Sequence, residues 1–201
     1  MTNLYTDFTS PKLTDRLAWY CEPTNWTIDP VAGELRVITD GETDYWQRTH
    51  YGFRRDNGHF LYTATQGDFE IETKVQYEPR AEFDQAGLMV RFSPDEWIKA
   101  SVELERNQRC YLGAVVTRGG HSDWSTQEYA HATVDIGLRM RRVGDDFLVD
   151  WRAAEGDWVP LRVTHLTSPE GGGPLLAGLY AASPKHGGCT ARFQCLRVSA
   201  A

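Results

Sequence analysis

The stretch from Gln85 to Glu105 constrains this chain more than any other. In QAGLMVRF (85–92), Ala86, Leu88, Val90 and Phe92 fall on one parity, with Gln85, Gly87, Met89 and Arg91 on the other. In WIKASVELE (97–105) the same alternation sets Ile98, Ala100, Val102 and Leu104 against Trp97, Lys99, Ser101, Glu103 and Glu105. Successive side chains of a strand point to opposite faces, so each segment reads as a β-strand that turns one apolar face to a core. The other face mixes Lys and Glu with Met89 and Trp97. A plainly solvated sheet face tolerates Lys and Glu, whereas Met89, Trp97 and a glycine among them suggest a curved, partly covered surface, and the alternation leaves both readings open.

Period-two alternation recurs at 33–39, 44–53, 59–64, 68–77, 109–117, 133–142, 146–153, 158–166, 175–183 and 190–199. No amphipathic helical period is sustained anywhere in the chain. Turn chemistry separates the strands: DNG at 56–58, QGD at 66–68, RNQ at 106–108, RGG at 118–120, VGDD at 143–146, AEGD at 154–157 and EGGGP at 170–174. Many short strands with such turns predict an all-β, two-sheet antiparallel sandwich, in one domain over residues 1–201. Residues 1–30, with Pro11, Pro23 and Pro30, are expected to wrap the domain edge. Within 44–53, parity groups Trp46, Arg48, His50 and Gly52 against Tyr45, Gln47, Thr49, Tyr51 and Phe53. The second group is the more apolar and is expected to face the core, which turns Trp46 and His50 outward. DNG then closes a hairpin onto 59–64.

Several function classes are disfavoured. A net charge of −7 argues against a nucleic-acid partner, whose affinity rests on clustered Lys and Arg. No apolar run approaches the roughly 20 residues that span a bilayer, and the N-terminal stretch lacks the basic and apolar regions of a secretory signal, so cytoplasmic residence is expected. Cys21, Cys110, Cys189 and Cys195 form no CxxC pair, and His121 beside Asp123 offers too few ligands for a metal, so no metal is expected. EGGGP lacks phosphate-loop context and no GxSxG elbow occurs, so neither a cofactor nor a serine nucleophile is expected. Seven tryptophans point elsewhere, to hydroxyl-rich ligands held against flat aromatic faces.

TDYWQRTHYGFRRDNGHF (43–60), GDF (67–69), DQAGLMVR (84–91), WIKASVE (97–103), VVTRGGHSDWS (115–125), GLYAASP (178–184) and TARF (190–193) together resemble the regulation-of-enolase protein family. The resemblance covers most of the chain from about residue 30 onward and departs at Gly120-His121, where an aromatic is expected before SDW. It implies a concanavalin A-like jelly-roll fold, a class in which the concave sheet face commonly binds or cleaves carbohydrate. Fold alone does not settle function.

The polar parity of the two central strands falls on that concave face. The expected ligand-binding set is Trp46, Trp97 and Trp124 as apolar surfaces, with His50, Gln85, Arg91, Lys99, Glu103 and Asp123 as polar contacts. The implied partner is a saccharide; a protein partner linked to carbon metabolism, or a second copy of the chain, is the alternative. Glu103 is also a candidate catalytic acid or base. Glu103 and Glu105 share a parity at about 7 Å along the strand, permissive for a glycosidase pair, but VELER lacks the longer acidic signature of the glucanases of this fold.

Overall fold

The computed structural model describes residues 3–131, 133–154, 156–168 and 174–200. Positions 170–173 of the EGGGP turn and Glu155 of AEGD lie outside the described residues. The strands are β1 (Leu4–Thr6), β2 (Ala18–Tyr20), β3 (Asn25–Asp29), β4 (Glu34–Ile38), β5 (Tyr45–Gln47), β6 (Arg54–Asp56), β7 (His59–Thr65) and β8 (Phe69–Tyr77). They continue as β9 (Gln85–Ser93), β10 (Glu96–Leu104), β11 (Cys110–Arg118), β12 (His121–Tyr129) and β13 (Val134–Val143). The last are β14 (Asp146–Ala153), β15 (Val159–His165), β16 (Leu175–Ala182) and β17 (Thr190–Ala200).

Two antiparallel sheets pack as a sandwich. One runs β15-β14-β13-β8-β17-β4-β3 with β1 also on β17; the other runs β12-β11-β10-β9-β16-β7-β2. The inner parities meet in one core, with Leu88, Val90, Ile98, Val102 and Leu112 from the second sheet against Val75, Ile136, Leu138 and Phe193 from the first, all inaccessible or nearly so. Alternation in β9 and β10 therefore orients both strands as their sequence implies. Removing such side chains from water is the main favourable term in folding.

Three expectations are corrected. Residues 44–53 are not one strand: β5 and β6 pair with each other in a separate two-stranded ribbon. Its turn lies at 48–53, where Arg48 N donates to Phe53 O (2.8 Å) and Gly52 N to Arg48 O (2.8 Å). DNG does not close a hairpin; Asn57 N and Gly58 N donate to Asp44 O (3.0 and 3.1 Å) as the chain leaves the ribbon for β7. Residues 1–30 do more than wrap the edge, since β1, β2 and β3 join the two sheets. The segment after RGG is a full strand, β12, at the rim of the second sheet.

Candidate binding cleft on the outer face of the second sheet

The polar parity of β9 and β10 is buried, not solvated: Gln85, Arg91, Lys99, Ser101 and Glu103 are all at most 7% exposed. What covers them is the β5–β6 ribbon. A second apolar cluster, including Tyr45, Trp46, Phe60, Met89, Trp97 and Tyr180, fills the space beneath it. Tyr45 lies edge-on to Trp97 and Tyr180, with ring centroids 6.1 and 6.4 Å away. Gly58 makes room for it, because a Cβ there would stand 2.4 Å from the Tyr45 ring. The ribbon is tied down by Gln47 N donating to Ser122 Oγ (2.9 Å), Gln47 Nε2 to Pro94 O (3.1 Å) and Arg48 Nη1 to Gly120 O (2.8 Å).

Beside the ribbon a cleft of 390 Å³ remains open, within the usual size of a small-molecule site. Its floor is Gln85, Lys99, Glu103 and Val115; its aromatic walls are Trp46, Tyr51 and Phe53 from the ribbon and Trp124 from β12. Trp46 sits edge-on to both Trp124 (6.4 Å) and Tyr51 (5.3 Å). Loops close the rest with Phe83, Pro184 and Lys185, while Arg55 and Arg106 stand at the rim and Asp44 reaches in from the start of the ribbon.

The floor is a hydrogen-bonded network. Lys99 Nζ donates to Gln85 Oε1 (2.6 Å) and pairs with Asp44 Oδ1 (3.3 Å). Tyr180 OH donates to the same Gln85 oxygen (3.3 Å), and Gln85 Nε2 donates to Phe83 O (3.0 Å). The ammonium also lies over the Tyr180 and Trp97 rings at 5.7 and 6.0 Å, a favourable arrangement for a desolvated cation. Glu103 receives the Ser101 hydroxyl at 3.4 Å. Burial pushes the Glu103 carboxyl up to about 7; Lys99 opposes the shift, while Asp44 and Glu105 add to it. Burial likewise holds the Tyr180 hydroxyl well above its ordinary value.

Of the expected set, the structure brings Trp46, Gln85, Lys99, Glu103 and Trp124 into this cleft. The other four lie elsewhere. Arg91 stands at the opposite end of the face, because register places it beside Trp97 whereas Gln85 is beside Glu103. There its guanidinium pairs with Asp56 Oδ2 (2.7 Å) under the Tyr20 ring (4.7 Å), and Tyr20 OH donates to the same carboxylate (2.8 Å). Trp97 is wholly buried beneath the ribbon, its Nε1 donating to Pro94 O (3.0 Å). His50 is exposed at the ribbon tip against Tyr51 (4.8 Å). Asp123 has the opposite parity to Trp124 and pairs with Arg162 of β15 (3.0 Å). Glu105 is not on β10 but in the following turn, where its N donates to Arg109 O (2.9 Å). Among the described residues no group of His, Cys, Asp and Glu is placed to hold a metal ion.

Sequence reasoning missed Asp44, Tyr51, Phe53 and Arg55, and the loop residues Phe83, Arg106 and Lys185. Tyr51 and Phe53, expected in the core, are 46% and 41% exposed at the cleft mouth. The available signal is Gly52 at positive φ (73°): a glycine among aromatics marks a turn, and a turn breaks the parity that would send them inward.

Two antiparallel sheets packed face to face give the chain a jelly-roll, concanavalin A-like fold, with an aromatic-walled cleft and a buried polar floor on the outer face of the second sheet. The chain belongs to the family described as Protein of unknown function (DUF1349), whose model matches residues 19–201. It is 33% identical over 162 residues to Regulation of enolase protein 1 of Saccharomyces cerevisiae, covering 81% of this chain and 79% of that one. This agrees with the resemblance read from the sequence. A crystal structure of a functionally unknown protein from Saccharomyces cerevisiae superposes with a TM-score of 0.84 at 31% identity, covering 92% of this chain and 97% of that one. The Bacteroides ovatus protein described as Xyloglucan PUL GH43B superposes at 0.80 with 19% identity; 98% of this chain matches 39% of that larger one, a likeness of fold.

Proposed function

We propose that this protein binds a carbohydrate or similar polyhydroxylated ligand in the cleft beside the β5–β6 ribbon. The observation that carries this reading is the conjunction, in one 390 Å³ cleft, of Trp46, Tyr51, Phe53 and Trp124 as flat apolar walls with Gln85, Lys99 and Glu103 as a fixed polar floor. Sugar rings present apolar faces to aromatic rings and hydroxyls to donors and acceptors. Lys99, Gln85 and Asp44 already hold one another, so little ordering cost falls on binding. Calorimetry and a glycan array against a broad saccharide panel test the reading: saturable binding that weakens in Trp124→Ala is expected, and no binding across the panel removes it.

Two further readings rest on particular observations. The name of the yeast relative, Regulation of enolase protein 1, favours a regulatory contact with a protein of carbon metabolism, for which Tyr51 and Phe53 offer exposed apolar surface. Sedimentation of the purified chain with enolase tests it, and independent sedimentation of the two ends it. The Glu103 carboxyl, raised by burial to about 7, favours a glycoside-acting enzyme with Glu103 as general acid. Turnover of a chromogenic glycoside that survives Glu103→Gln eliminates that role. Residues 1–201 are proposed to fold as one unit, since β1 pairs with β17. A reducing, cytoplasmic setting suits the free thiols of Cys21, Cys110, Cys189 and Cys195.

A further inference from the structure

The cleft is blind at one end and continued at the other. Its inner end stops at the Lys99–Asp44 contact, where the ribbon descends onto the sheet and Tyr45 fills the space behind. Beyond that point, among the described residues, Phe60, Met89, Trp97 and Tyr180 and then the Arg91–Asp56–Tyr20 cluster fill the outer face and stand in the way of a ligand passing beneath the ribbon along the sheet. On the opposite side, Trp124 and Arg106 line both the cleft and a second, shallower groove of 360 Å³. That groove adds Tyr111, Asn107 and Thr126.

The sheet register makes the two spaces contiguous: Tyr111 pairs with Glu103 of the cleft floor, and Trp124 with Val115. Gly113 lets the Trp124 indole close down onto the sheet between them, because a Cβ there would stand 3.0 Å from the indole nitrogen and 2.9 Å from Thr126 Cγ2, so Trp124 forms the wall the two spaces share. Asn107 Nδ2 donates to Tyr111 OH (2.8 Å), which fixes the ring at the groove. A chain that enters from this groove meets the Lys99–Asp44 contact with its leading end.

Resting on the carbohydrate reading above, we infer that the protein recognises the terminus of a saccharide chain, not its interior. The terminal sugar occupies the cleft over Lys99 and Glu103, and the following units run outward over Trp124 onto Tyr111 and Asn107. A free monosaccharide fills the inner subsite alone. Tyr111 is therefore a specificity residue for chain length.

Calorimetric titration with xylose, glucose, linear xylo-, cello- and malto-oligosaccharides, β-cyclodextrin and long-chain xylan tests the inference. Linear oligosaccharides of a recognised series are expected to bind more tightly than their monosaccharide. For the polymer, the number of sites is expected to follow chain ends, rising as it is fragmented, and the ring is expected not to bind. Tyr111→Ala is expected to weaken the oligosaccharide by about three- to tenfold and the monosaccharide by less than about twofold, the size of an aromatic stacking contact. Equal binding of rings or chain interiors overturns it, as does a Tyr111→Ala loss that is the same for both ligands. Silence across every probe would instead sink the carbohydrate reading itself, and this inference with it.

Discussion

The two ends of the outer face of the second sheet begin from similar chemistry and finish in opposite states. At one end a buried cation, Arg91, meets the carboxylate of Asp56 under an aromatic ring; at the other a buried cation, Lys99, meets the carboxylate of Asp44 above two aromatic rings. The first is sealed by Tyr20, whereas the second opens onto a cleft. The ribbon makes the difference through its own parity. Tyr45 and Asp56 are cross-strand partners facing down onto the sheet, and Trp46 and Arg55 are partners that line the cleft. Burying an ion pair is weak support for stability on its own account, but breaking one is costly. The sealed end should therefore matter for folding and the open end for ligand.

The sharpest way to break that contrast is Asp56→Asn, which leaves Arg91 buried without its counter-ion. A loss of about 3 kcal/mol, or a melting temperature lower by about 6–12 °C, is expected, with saccharide affinity unchanged. A ligand effect as large as the stability effect would erase the distinction between the ends.

Next in size is Glu103→Gln. The folded carboxyl titrates near 7 against 4.5 unfolded, so the folded state holds its proton more tightly. Stability from this group is intact below pH 4.5, declines as pH rises through the window and is fully lost above 7. Denaturant titrations are expected to find the glutamine variant more stable by on the order of 1–3 kcal/mol above neutrality, converging with the parent in acid. A pH-independent difference would contradict the assignment.

Trp124→Ala should weaken saccharide binding by about tenfold, since it removes a stacking wall, while leaving a cooperative unfolding transition. The smallest effect belongs to Asp123→Ala. Its partner is Arg162 on the other sheet and its side chain is 58% exposed, so less than about 1 kcal/mol of stability and no change in affinity are expected. Measurable loss of binding there would move the site boundary.

How legible this was in the sequence follows the range of the interactions. Parity within β9 and β10 placed Leu88, Val102, Gln85, Lys99 and Glu103 on their correct faces, because strand alternation is a local rule. It did not separate Arg91 from Lys99, since both share that face and it is Asp56 of the ribbon together with Tyr20 of β2, both distant in the chain, that seal one of them. Gly52 marks the turn at 48–53, but positive φ at Arg48 and His50 is not implied by those residue types; it is held locally by Trp46 Nε1 donating to Thr49 O (3.1 Å) and at long range by Arg48 on Gly120. Phe83, Arg106 and Lys185 reach the cleft from loops far apart in the chain, where periodicity carries no information.

The central claim is that the open end binds saccharide and the sealed end does not take part. Calorimetric titration of one saccharide panel against the parent, Trp124→Ala and Asp56→Asn proteins, each checked for cooperative unfolding, tests it most directly. The expected result is binding by the parent, about tenfold weaker binding by Trp124→Ala and parent-like binding by Asp56→Asn. No binding by the parent, or equal losses in the two variants, would contradict it.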